Sequence, residues 1–163
     1  MNGLRTFLAY LDSVHARTRR VILCIPPSQI EWTPAAGRFS VGDIVRHLAN
    51  IERYMYAETV HGRPSRYRGH DTSYASGFED TVAYYDRLHQ ESLALFGALS
   101  AEQWEGKCRT PAGTPITTWK WLRALIEHEA HHRGQLYLML GLIGVQAPPL
   151  YGLTSEEVAA RSG

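Results

Sequence analysis

A chain of 163 residues with 44% hydrophobic and 20% charged residues is too apolar to stay disordered and long enough to bury a core without a disulfide or structural metal. Its 17 Lys+Arg against 16 Asp+Glu leave a formal net charge of +1, which excludes a strong sequence-blind attraction to nucleic acid or an anionic membrane. Cys24 and Cys108 form no C-x-x-C motif, no run approaches the roughly 18 apolar residues of a membrane span, and the N-terminal segment lacks a secretory leader, so one domain over 1–163 in the cytoplasm is expected.

The periodicity predicts an all-α fold. Leu4, Phe7, Leu8, Leu11, Val14, Thr18, Val21 and Ile22 recur at helical spacing, giving a first helix over roughly 4–24 that Pro26-Pro27 terminates. A second helix starts at Ser40, which with Asp43 has the spacing of a capping box, and carries Ile44, His47, Leu48, Ile51 and Met55 on one face towards His61-Gly62. The connection 61–76, rich in Gly, Ser, Arg and Tyr, is longer than most bundle loops and long enough to cover a site.

A third helix is predicted from about Phe78 to Leu99, with Val82, Tyr85, Leu88 and Phe96 in its core face. Ser100 and Gln103 cap a short extra turn, and a fourth long helix runs from Thr117 or Thr118 to about Gly144. Its stripe is Trp121, Leu125, His128, His132, Leu136, Met139 and Ile143, and Thr154 with Glu157 caps a last short helix. No segment of convincing length alternates as a strand does. Four amphipathic helices bury their stripes most simply as a four-helix bundle, with any site built from facing side chains.

His128 and His132, four apart on one helix, can hold one metal ion, and His47 takes the equivalent place on the second helix. Each alone reads as an ordinary core histidine; three on two facing stripes read as metal ligands, because buried imidazoles need partners. Three neutral nitrogens suit a catalytic rather than a closed structural site. Such a site is expected to release its metal as pH falls through and below about 6.5. His15 and His89 lie on or beside apolar stripes without a partner at ligand spacing, His131 is turned about 100° off the site face, and His61 and His70 read as solvated loop residues. Glu52 and Glu129 read as surface or supporting carboxylates, Tyr54, Tyr67, Tyr74, Trp32, Trp119 and Trp121 as core aromatics, and Arg63, Arg66 and Arg68 as a solvated basic loop. No residue is assigned as a general acid or base.

The run His128-Glu-Ala-His-His132-Arg-Gly-Gln135-Leu, followed by Gly144 and Pro148, resembles the helix-four signature of the DinB/YfiT-like superfamily. The segment Phe39-Ser-Val-Gly-Asp-Ile-Val-Arg-His47-Leu-Ala-Asn-Ile-Glu52 is similar to that family's helix-two signature. The resemblance implies an up-down-down-up four-helix bundle, usually a homodimer, with a divalent nickel or zinc ion on His47, His128 and His132. It places Arg133 and Gln135 in the signature without assigning them a catalytic role. It also implies a small-molecule substrate and either thiol-dependent S-transfer with a low-molecular-weight thiol, isomerisation or hydrolysis, since a fold does not select a reaction. The alternative is a non-catalytic metal- or ligand-binding bundle acting in stress response.

Overall fold

The computed structural model describes residues 2–163. Helix α1 (Asn2–Ile22) ends ahead of the proline pair, and a 3-10 turn, Pro27–Gln29, follows. Helix α2 (Val41–Ile51) passes through a π turn, Glu52–Tyr56, into the short α3 (Ala57–Thr59). Helices α4 (Phe78–Gly97), α5 (Ala101–Glu105), α6 (Thr118–Leu142) and α7 (Ser155–Arg161) complete the order. All three expected capping boxes form, Ser40 with Asp43, Ser100 with Gln103 and Thr154 with Glu157.

Two elements depart from the sequence reading. The second helix is not regular: the Ala57 N–H bonds to the Glu52 carbonyl, and this looser winding puts an extra residue into one turn and buries both Glu52 and Tyr56. Before α6, β1 (Lys107–Arg109) and β2 (Pro115–Thr117) pair antiparallel with Cys108 opposite Ile116. Strands of three residues are too short to show alternation, and only Cys108 of β1 points inward. Both cysteines are free thiols.

Side-chain pairs across the bundle give the helix directions. Asn50 meets Tyr84, Glu52 meets His89 and Arg53 meets Glu91, so α2 and α4 run parallel. Asp12 meets His89 and His15 meets Asp86, so α1 opposes α4. His47 faces His128 while Thr59 accepts the Trp121 indole N–H, so α6 opposes α2 and parallels α1. This is the up-down-down-up arrangement. Among the described residues no helix is long and apolar enough to cross a membrane.

The core is two apolar clusters, one around Val21, Ile22, Leu48, Leu88 and Leu136, the other around Leu11, Ala57, Phe96, Leu122 and Leu125. Between them lies a layer of buried polar groups: His15, Thr18, Glu52, Tyr85, His89, Glu129 and Arg133. The His15 ring stacks at 3.7 Å on His89 and at 4.2 Å on Tyr85. Burial opposes charge on His89, but hydrogen bonds to Glu52 and Asp12 outweigh it and raise its pKa. Burial, reinforced by the neighbouring His89, lowers that of His15.

The sign of the His15 effect follows from linkage. The unfolded chain takes up a proton at His15 below about pH 6.5 while the native state resists it, so this residue costs stability as pH falls. Other buried groups titrate too, so the contribution is isolated by difference. Relative to the wild type, His15→Phe is expected to gain up to about 1.4 kcal/mol per pH unit between about pH 6.5 and about 4, where the native His15 titrates, measured by urea unfolding at several pH values.

Candidate metal centre

The position of His47 is set by how α2 is anchored. The Gly42 N–H donates to the Ile30 carbonyl at 2.6 Å, and a Cβ at position 42 would lie 2.9 Å from both that oxygen and Arg46 Nη1. Only glycine permits that approach. Arg46, with 0% of its side chain exposed, donates to Glu31 and Asp43 at 2.8 Å, to the His70 carbonyl at 2.8 Å and to the Ala75 carbonyl at 3.2 Å. Asn50 donates to the Gly69 carbonyl at 2.7 Å, and the Arg66 N–H to that of Tyr54. The long 61–76 connection is thereby fastened along α2, and it carries Tyr67 and His70 to His47.

His47, His128 and His132 are half-buried, and one ligand atom from each lies within 4.8 Å of the others. Their ring centroids are 5.1, 4.7 and 4.5 Å apart, and Nε2 of His47 is 3.1 Å from Nε2 of His128. The outer nitrogens of two of them are engaged. His132 Nδ1 donates to Gln135 Oε1 at 2.7 Å. His47 Nδ1 shares a hydrogen bond with Tyr67 Oη at 2.8 Å, and Tyr67 Oη shares another with His70 Nδ1 at 2.9 Å. The Gln135 carbonyl sets His132 as the tautomer with an Nε2 lone pair, and a proton on His47 Nδ1, accepted by Tyr67, leaves His47 Nε2 as a donor atom for a metal. Nδ1 of His128 is buried with no hydrogen-bond partner among the described residues.

Burial, with the neighbouring imidazoles adding to it, lowers the pKa of His47 to about 3 and of His128 to about 4. That of His132 is lowered too, by burial, against the opposing bond to Gln135. The site is therefore uncharged at neutral pH. A proton bridges only one pair of such nitrogens, whereas a cation accepts three lone pairs together. The donor set fits a divalent ion that favours imidazole. Proton competition begins lower than the ordinary histidine value, in keeping with the expected release below about pH 6.5.

The model of the DinB superfamily matches residues 10–136. The chain belongs to the DinB superfamily. Solved structures with this fold include a DinB-like protein from Bacillus subtilis, at 20% identity and TM-score 0.72, covering 90% of this chain and 97% of that one. A DinB-like protein from Bacillus cereus shares 16% identity at TM-score 0.73, covering 88% and 94% of the two chains. YfiT from Bacillus subtilis, described as a probable metal-dependent hydrolase with an unusual four-helix bundle topology, shares 19% identity at TM-score 0.68, covering 88% and 89%. At these identities the likeness is one of fold. No curated protein matches the chain.

In this DinB member the buried face of α6 is wider than the predicted stripe and includes two charged residues that the stripe left out. Leu125, Leu136 and Met139 of the predicted stripe are buried together with Leu122, Glu129, Arg133 and Leu140, and the half-buried His128 and His132 stand at the edge of this face, on either side of Met139 in phase, towards α2. Glu129, only 3% exposed, is no surface carboxylate: it accepts the Tyr85 O–H at 2.6 Å, and burial raises its pKa to about 7. Arg133 donates to Thr18, and Glu52 bonds His89. All three serve the polar layer. The signal was present as the i,i+4 pair Glu129 and Arg133 among leucines at the same phase.

The loop residues are also corrected. His70 is not simply solvated: its ring lies 5.6 Å from that of His47 and 3.9 Å from that of Phe39. His61 bonds the Leu95 carbonyl, and Arg63 and Arg66 pair with the buried Glu58. His15 and His89 belong to the polar layer, and His131 is exposed beside His132. Tyr54, Tyr74, Trp32, Trp119 and Trp121 pack against the apolar clusters. Tyr67 also packs there but spends its hydroxyl on the triad, a role with no local sequence signal.

Proposed function

We propose that this chain is a divalent-metal-dependent enzyme acting on a small molecule, with nickel or zinc held by His47, His128 and His132. The observation that carries the proposal is the convergence of three uncharged imidazoles, two of them with Nδ1 bonded to Tyr67 and Gln135 so that Nε2 is left for a metal. A bound divalent ion supplies positive charge that polarises an electrophile and favours the deprotonated form of a thiol or water. The chain's own residues orient the ligands and keep them neutral.

Thiol-dependent S-transfer, with a low-molecular-weight thiol as cosubstrate, is the first reaction. Its support is that Glu52 and Glu129 are turned into the bundle and bonded to His89 and Tyr85, while a thiol relies less than water on a carboxylate base. Hydrolysis is the second reading, supported by the likeness to YfiT and by the His70 imidazole linked through Tyr67 to His47. A panel of thiols with electrophiles, and of hydrolysable esters and amides, tests both. Product formation that needs metal and disappears in His128→Ala is expected. Background rates throughout, with metal bound, would leave a non-catalytic binding bundle.

Tyr67→Phe removes the acceptor of the His47 Nδ1–H while keeping the ring. Metal affinity is expected to fall about 10- to 100-fold with the fold intact, measured by competition with a chromophoric chelator.

A further inference from the structure

A cavity of about 530 Å³ opens against His132. Pro34, Ala35, Phe39, Ile44, Leu138 and Met139 give it apolar walls, and His132 and Gln135 bring it to the ligand set. Its volume falls in the range of small-molecule sites, roughly 300 to 1,000 Å³. Phe39 links it to the centre, with its ring 5.7 Å from that of His47. Arg38 is the one charged residue among those lining it, and its guanidinium makes no ion pair among the described residues. Among the described residues no carboxylate lines the cavity.

We propose that this cavity binds the substrate, and that the substrate class is a small molecule with a hydrocarbon or aromatic body and one carboxylate group. The inference rests on the metal-dependent reading for what happens to such a molecule, but not for its binding. The apolar walls favour a body that sheds water on entering. A single guanidinium suits one planar anion, through paired N–H donors, better than a polyanion. With no acid in the lining, an ammonium group has no partner there and faces Arg38 as a like charge.

The test compares 4-phenylbutyrate, 4-phenylbutanol and 4-phenylbutylamine, which share a body and differ in the end group. Dissociation constants are measured by NMR titration of the full chain, with and without zinc, and metal content is determined separately. The carboxylate is expected to bind about fivefold tighter than the alcohol, and the amine more weakly than either. Arg38→Ala is expected to erase that preference with metal content unchanged. Ala35→Trp is expected to fill the cavity and abolish binding of all three, with an unchanged unfolding midpoint showing that the fold persists.

Equal affinities, or binding unaffected by Ala35→Trp, would overturn the inference. So would a carboxylate preference that survives Arg38→Ala and vanishes with zinc, since the carboxylate would then sit on the metal. Arg38-dependent selectivity in a protein that takes up no metal would uphold the cavity and sink the metal reading. Metal uptake without selectivity would do the reverse.

Discussion

Arg46→Ala is expected to lower the unfolding free energy by about 3 kcal/mol and to loosen residues 66–75. The fully buried guanidinium holds Glu31, Asp43 and the carbonyls of His70 and Ala75, and its removal leaves a cavity and two acceptors without donors. Glu31 and Asp43 are 41% and 24% exposed, so water takes over part of their solvation and the cost stays at the low end for a broken buried pair. Urea unfolding measures the loss, and hydrogen exchange locates it. Because the loosened loop carries Tyr67 and His70, metal affinity is expected to fall in the same variant. Unchanged exchange over the loop would mean that its position does not depend on Arg46.

Truncating any one of His47, His128 or His132 to alanine is expected to weaken metal binding by about 3 kcal/mol, more than a hundredfold. The fold should survive. Each side chain is half-buried and neutral at pH 7, and His128 Nδ1 has no bond to lose, so apo stability is expected to change by less than about 1 kcal/mol. His131→Ala serves as the control, since its ring stands exposed outside the triad. In the wild type, metal release on acidification is expected at a midpoint below pH 6.5, because folding already holds His47 and His128 deprotonated to about pH 3 and 4. Release above pH 6.5 would argue against imidazole ligands in this environment.

Much of the fold is legible because its signals are local. Apolar residues at helical spacing mark the four long helices, and a Ser or Thr followed three residues later by Asp, Gln or Glu marks the caps. The π turn at Glu52–Tyr56 is silent, because one added residue leaves an apolar pattern almost unchanged. The β1–β2 hairpin is too short to establish a period.

The polar layer was missed for a different reason. A stripe rule assigns His128 and His132 to the core and rejects Glu129 and Arg133, yet Tyr85 and Thr18 on other helices satisfy those two. The rule thus selected the three histidines that meet and passed over the buried charged pair beside them. Tyr67 and His70 reach His47 through hydrogen bonds that Arg46 and Asn50 make to distant backbone carbonyls, and no window of sequence contains both ends of those bonds.

The central claim is that three histidines hold one divalent ion, and metal content per chain of untagged protein, by elemental analysis after incubation with nickel or zinc and removal of the excess, tests it most directly. Near-stoichiometric metal is predicted in the wild type and in His131→Ala, and its loss in His47→Ala and His132→Ala. No metal in the wild type, or equal metal in all four proteins, would contradict the claim.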